Sequence, residues 1–332
     1  MKGTPMKKVF ILAALCTLFL LSACSAPRIN ILDANEDPLR EFTLEGKGEE
    51  KILMIPVNGM ISASPKTGLL SSKPGIVEQV VAQLNKARSD SQIKAVILKI
   101  NSSGGTVTAS DMLYHEIVSY KEKTGNKISV IMMDTAASGA YYISLPADLI
   151  MAHPTTLTGS VGVIFMRPKA VGLMGKIGLD VEVSKSGKNK DMGSPFRESS
   201  HEEKILMQNT VDQFARRFTG LVRQHRKMDA KQLNTVSTAR VFTADEALRL
   251  NLIDKIGYVN DVVRDTRKMA GVAEEARVVV YRRQSVPDDN YYHTPGASAE
   301  SVHLSAIHIA LPDILQAGAG FYYLWPGAIK FE

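Results

Sequence analysis

Ile93-Lys94-Ala95-Val96-Ile97-Leu98-Lys99-Ile100, followed at once by Asn101-Ser102-Ser103-Gly104-Gly105, is the stretch on which the fold turns. Apolar but for two lysines, the first eight residues read as a strand buried on both faces. The paired glycines behind it allow a sharp turn at the strand's end. The pattern recurs downstream, with apolar strands at Ile128–Met133 and, shorter, at Leu149–Ala152. Helical stretches separate them: Ile76–Ala87, with Ile76, Val80 and Leu84 on one face, then Ser110–Lys123 and Gly139–Leu145. Buried strands alternating with helices specify an α/β domain with a largely parallel sheet.

Upstream, Ile52-Leu53-Met54-Ile55-Pro56-Val57 is a further strand, ended by Asn58-Gly59, and Ser62–Pro74 is a loop rich in Ser, Pro, Gly and Lys. Residues 25–50 are polar and weakly periodic: a tether with room for a short strand. The N-terminus has the form of an export signal. Lys2, Lys7 and Lys8 precede an apolar run from Val9 to Leu21, short for a membrane span. Leu21-Ser22-Ala23-Cys24 resembles a bacterial lipobox, in which the chain is cut before Cys24 and the cysteine is lipidated. An ordinary signal peptide with Cys24 near the cut is the alternative. The only cysteines are Cys16 and Cys24, so the exported domain is expected to hold no disulfide and no cysteine-based metal site. The net charge of +6 falls to +3 without residues 1–23, which hold three lysines and no acidic residue. Mild basicity suits an anionic membrane surface, and the lack of arginine-rich runs argues against nucleic acid as a partner. No His-Glu-x-x-His or comparable ligand spacing marks a zinc hydrolase.

After residue 198 long helices are expected. Ser199-Ser200-His201-Glu202 reads as a capping box, followed by an apolar stripe at Met207, Val211, Phe214, Phe218 and Leu221 suited to core or subunit contact. Thr243-Ala244-Asp245-Glu246 opens another helix, reaching about Leu250. The expected organisation is a signal peptide over 1–23, a tether over 24–50, a catalytic domain over 51–271 and an extension over 272–332. In that extension residues 303–325 are apolar, but Pro312, Asp313, Gln316 and two glycines argue against a membrane span. Docking on the domain, lying on the membrane and mimicking a substrate all fit it.

Three stretches carry candidate chemistry, each read as following a strand. Gly104-Gly105 can present bare N–H groups to an oxyanion, and a tight turn explains the pair equally well. Ser138, within Asp134-Thr135-Ala136-Ala137-Ser138-Gly139-Ala140-Tyr141-Tyr142, sits at a strand-to-helix turn as a nucleophile would, or caps the helix. The third is Ser186-Gly187-Lys188-Asn189-Lys190-Asp191, after Val181–Ser184. No histidine lies in a turn beside Ser138, so Lys188 or Lys190 is left as the base, acting neutral when burial lowers its pKa; a solvated lysine is the plain alternative.

Together these stretches resemble the signal peptide peptidase A family of Ser/Lys peptidases, whose fold is shared with Clp protease and the crotonases. The ordered set is Asn-Ser-x-Gly-Gly from 101, Ala-Ala-Ser-Gly-x-Tyr-Tyr-Ile-Ser from 136, Thr-Leu-Thr-Gly-Ser-x-Gly-Val-Ile from 156, Ser-Gly-x-x-Lys-Asp from 186 and Ser-Pro-x-Arg from 194. The resemblance implies repeated ββα units around a largely parallel sheet, with long C-terminal helices. It assigns the nucleophile to Ser138, the base to Lys190 rather than Lys188, the residue orienting the lysine to Ser160, and the oxyanion donors to the N–H groups of Gly105 and Gly139. It further implies an acyl-enzyme intermediate, cleavage of apolar peptides such as signal-peptide remnants, a homo-oligomer, and neither metal nor organic cofactor. Ser103 stands where the family usually has proline and Ala140 where it usually has glycine; neither removes a catalytic group. Asp191 would raise the pKa of Lys190 on contact, and an extended segment would turn the two apart. The apolar Ala310–Tyr323 looks like a substrate peptide, and is expected to occupy the enzyme or be trimmed by it. A non-catalytic membrane scaffold and a crotonase-type acyl-CoA enzyme are the rival readings of this fold. The first would lose the Ser138/Lys190 pair and the second has no need of it.

Overall fold

The structure, a computed structural model, describes residues 38–67, 72–293 and 319–328. Its frame is a sheet of β1 (Arg40–Glu45), β2 (Lys51–Asn58), β5 (Ile93–Ser102), β7 (Lys127–Ala137), β8 (Leu149–Ala152), β12 (Lys255–Ile256) and β13 (Arg277–Arg282). These run in the order β1-β13-β2-β5-β7-β8-β12, parallel throughout except for β1. Two short strands, β3 (Lys66–Thr67) and β4 (Ser72–Lys73), pair apart from it within the expected loop.

Alternation along the parallel strands sends side chains into two cores. Leu53, Ile55, Val57, Val96, Leu98 and Ile100 face α1 (Ile76–Arg88) and α2 (Val107–Thr124). Ile52, Met54, Ala95 and Ile97 face α8 (Val259–Ala270), through Val259, Val262 and Val263. Lys99 follows Ala95 and Ile97 on this second face, and its ammonium reaches the backbone carbonyls of Tyr291 and His293. Burial, with some help from the nearby Arg282 charge, pushes its pKa down to about 8. The capping signals hold with one shift of register. Thr243 and Glu246 cap α7 (Ala244–Arg249) reciprocally, whereas α5 (His201–His225) is capped by Ser200 with Glu203, one residue beyond the expected pair. Ser199 instead accepts a hydrogen bond from Arg167.

The sheet extends beyond the expected limits of 51 and 271. The short strand allowed for in the tether over 24–50 is β1, which covers the sheet's edge. The domain does not close at Gly271, although Gly271 does end α8 in a left-handed cap. The chain returns as β13, whose Val278-Val279-Val280 enters the sheet beside β2 and is almost fully buried. A strand next to a partner more than 200 residues earlier is stabilised by tertiary pairing that no local pattern announces. The expected signal peptide and Cys24 lie outside the described residues. Among those described, no helix is long and apolar enough to cross a membrane.

Candidate active site

β7 is longer than its apolar run and delivers the chain directly to Ser138, where α3 (Gly139–Ser144) begins. At that junction Ser138 adopts φ 55° and ψ −115°. A non-glycine residue held there stores on the order of 1–3 kcal/mol of backbone strain. The N-cap reading fails, because the Ser138 side chain makes no capping hydrogen bond. Its hydroxyl is only 1% exposed and has no partner among the described residues, while the Ser138 N–H is anchored on the Gly159 carbonyl at 2.8 Å. A strained, buried and unpaired hydroxyl is what a nucleophile needs and what a structural serine avoids.

β6 (Gly104–Thr106) follows β5 after one residue. Ser102 shapes the turn, its hydroxyl donating to the Gly59 carbonyl at 2.6 Å and accepting from the Gly104 N–H at 3.1 Å. Asn101 ties the neighbouring strand end, its amide reaching Asp134 and its oxygen the Thr135 N–H. Gly104, at φ 106°, is in a region open only to glycine. One edge of β6 is bound by Ile61, through Ile61 N–H to Gly104 O at 2.8 Å and Thr106 N–H to Ile61 O at 3.0 Å. The Gly105 N–H therefore faces the opposite edge. A Cβ on Gly139 would lie 3.1 Å from that same nitrogen and 2.4 Å from Ser110 Oγ. The two expected oxyanion donors are thus neighbours, close-packed in a way that requires glycine at both positions.

β9 (Leu157–Gly159) pairs with the end of β7 and with β11 (Val241–Thr243). Gly159 at φ 88° and Ser160 at φ 50° then turn the chain, and the Ser160 N–H donates to Arg240 O at 2.9 Å. Ser160 is 7% exposed and lies one residue beyond the carbonyl that anchors Ser138.

Lys190 is placed differently. Val181–Ser184 forms no strand: from Gly178 to Lys190 the chain is exposed and lies in loop and turns. Lys190 itself is exposed and makes no hydrogen bond to Ser138. Asp191 does turn away from it, but within a turn rather than by strand alternation. Its carboxylate takes Lys185 at 2.8 Å and Arg197 at 2.7 Å, and those partners hold its pKa well below the usual carboxylate range. Arg197 also binds Glu203 at the start of α5, so the Arg of Ser194-Pro195-Phe196-Arg197 fastens the lysine-bearing arm to that helix. Lys188 pairs with Glu202.

The sequence raised docking of the tail on the domain but missed the strand it forms: β14 (Gly320–Leu324) lies between β6 and β10 (Ile164–Met166), antiparallel to both. The described end of the tail thus runs across the oxyanion turn; residues 310–318 lie outside the described residues. A network at Tyr142 was also missed. Its hydroxyl donates to Asp111 at 2.5 Å, and Arg217 holds the same carboxylate oxygen at 2.6 Å. Among the described residues no cluster of His, Cys, Asp or Glu could hold a metal ion.

Comparison with known proteins agrees with this architecture. The model of peptidase family S49 matches residues 120–273, and that of Clp protease matches residues 71–156. A putative signal peptide peptidase SppA of Enterococcus faecium is 33% identical over 77% of this chain and 74% of its own. A putative protease of Methanocaldococcus jannaschii is 28% identical over 81% of this chain and 85% of its own. Among solved structures, a ClpP1 mutant from Listeria monocytogenes matches 63% of this chain and 94% of its own, at 17% identity and a TM-score of 0.41.

Proposed function

The chain belongs to peptidase family S49, and on that premise we propose that it is a serine endopeptidase acting through Ser138 and Lys190. The observation that carries this reading is Ser138 itself: strained, buried and unpaired, beside the convergent amides of Gly105 and Gly139. Lys190 takes the Ser138 proton as Oγ attacks a peptide carbonyl. The two amides hold the oxyanion, Ser160 orients the lysine, and water releases the acyl-enzyme.

The exposed position of Lys190 supports an assembly in which one copy supplies Ser138 and its neighbour supplies the base. Leu173, Ile177, Leu179, Val181 and Val183, all exposed on the same arm, would be covered in such a homo-oligomer. The substrates in this reading are apolar peptides, signal-peptide remnants among them. The chain would be exported, with Cys24 lipidated so that the site faces outward from a membrane.

The test is hydrolysis of a fluorogenic apolar peptide by wild type, Ser138→Ala and Lys190→Ala. Each variant alone should be inactive, and a reassembled mixture of the two should regain activity. Full activity in either variant would overturn the dyad. Two inactive variants whose mixture stays inactive would place both groups in one copy.

A further inference from the structure

A strained residue keeps its backbone only where its surroundings over-determine it. Ser138, at φ 55° and ψ −115°, has two backbone ties. Its N–H donates to the Gly159 carbonyl, and its own carbonyl accepts the Tyr142 N–H, each at 2.8 Å. The second tie closes the first turn of α3, a helix of six residues and too short to hold its own geometry. Something outside α3 has to fix it, and α2 does so at two adjacent positions.

Ser110 is fully buried against Gly139, its Oγ filling the space where a Cβ on that glycine would stand. Its hydroxyl donates to the Thr106 carbonyl at 2.9 Å, which seats the start of α3 on the end of β6. Asp111, the next residue, accepts from the Tyr142 hydroxyl at 2.5 Å. The Tyr142 ring is fully buried, edge-on to Tyr114 at 5.4 Å and to Phe218 at 5.0 Å. It cannot swing without moving the turn that ends in Ser138. Burial and the neighbouring Asp111 carboxylate hold the Tyr142 pKa well above the usual phenol value, so the hydroxyl stays a donor.

The carboxylate is itself held. Arg217, on α5, reaches the same Asp111 oxygen through Nη2 at 2.6 Å and Nε at 2.9 Å. One oxygen thus joins three elements: α2, which leads out of the oxyanion turn; α3, which follows the nucleophile; and α5, whose first turn fastens the Lys190 arm through Glu203 and Arg197. With side chains 37% and 52% exposed, the Asp111–Arg217 pair adds little to global stability. What it does is aim a buried hydroxyl.

We propose that Asp111, backed by Arg217, is a positioning residue of this site: by holding the Tyr142 hydroxyl it keeps the first turn of α3 in place, and with it Ser138 Oγ and the Gly139 N–H in reactive geometry. This rests on Ser138 being the nucleophile. None of the three side chains bonds to the Ser138 hydroxyl, so their loss falls on the chemical step rather than on substrate binding.

The full chain is assayed on the fluorogenic apolar peptide, and a fluorophosphonate probe reports how fast Ser138 itself reacts. Tyr142→Phe and Asp111→Ala should each lower kcat and the labelling rate by about 10- to 100-fold, with KM little altered. The unfolding midpoint should move by no more than about 3 °C. Combining the two should cost no more than the worse single change, because both break one link. Asp111→Asn, which keeps an acceptor for the hydroxyl, should retain most of what Asp111→Ala loses. Tyr114→Phe removes a hydroxyl of the same aromatic cluster that is bonded to His225 instead, and should leave kcat and labelling at wild-type levels. Wild-type kcat in Tyr142→Phe and Asp111→Ala, or a loss confined to KM, would overturn the inference and leave the peptidase reading standing. So would a loss of kcat that only follows a collapse of the unfolding midpoint. A wild type that neither cuts peptide nor takes the probe would remove the peptidase reading, and the inference with it.

Discussion

The two halves of the candidate site are built in opposite ways. Ser138, Gly105 and Gly139 are set by strand ends inside the main core, among close-packed backbone, apolar side chains and the Ser110 hydroxyl. Lys190 rides on an exposed arm fastened by charges: Asp191 to Lys185 and Arg197, Arg197 to Glu203, Lys188 to Glu202. The half around Ser138 is buried within one chain, and Lys190 is presented outward. Geometry that must be exact to a few tenths of an ångström sits in the core, and the group that has to be delivered sits on a surface that can dock.

The sharpest way to break this contrast is to remove the chemistry and leave the frame. Ser138→Ala should lower kcat by roughly 10⁴-fold or more while leaving thermal unfolding nearly unchanged, since only a methyl-sized hydroxyl is replaced. Next comes the frame. Gly105→Ala would place a Cβ 1.9 Å from Ile61 O, a backbone clash that must shift β6. The expected cost is about 3 kcal/mol, read as a lowered denaturant midpoint, with most activity lost. Gly139→Ala meets the Ser110 side chain first, at 2.4 Å, with the strand backbone at Tyr323 and Gly105 farther off, at 3.0 and 3.1 Å. It should fold and lose roughly 10²-fold in kcat, with KM little altered.

The arm should respond the other way. Arg197→Ala frees Asp191 and Glu203, so trypsin should cut at Lys185, Lys188 and Lys190 about tenfold faster, while the core's unfolding midpoint moves by less than about 0.5 kcal/mol-equivalent. Rapid cleavage together with a large loss of global stability would show that the arm is part of the core after all. The smallest effect concerns Lys99. Its folded pKa, about 8, lies below its usual value, so the unfolded chain keeps the proton to higher pH. Wild-type stability should therefore gain about 1–2 kcal/mol as pH rises from 8 toward 10, and Lys99→Met, measured alongside, should lack that gain.

Legibility followed the same division. The parallel strands, the glycine turn and the serine junction are local patterns: period, length and small residues at a bend. Ser138 as nucleophile or cap was an open choice in the residues alone; the missing capping hydrogen bond removes the cap, and the dihedral pair supports the proposed nucleophile. Val181–Ser184 has the composition of a strand yet finds no sheet partner in a single chain, which composition does not encode. Val278–Val280 was passed over, and residues 320–324 were not read as a strand, because their partners, β2 and β6, lie more than 200 residues away. Ser199 and Ser200 were equally good caps by pattern, and the Arg167 side chain took one of them. Arg197 was visible only as a motif letter; its job depends on Asp191 and Glu203 meeting in space.

The place of β13 bears on the order in which the molecule can form. It lies between β1 and β2, so β1 cannot join the sheet, and β2, paired on its other side with β5, keeps one edge bare, until residues 277–282 have been synthesised. The first strand made is among the last to be locked. Until then the emerging chain carries an open sheet edge, a slow, long-range closure that leaves it accessible to a chaperone for nearly the whole of its synthesis.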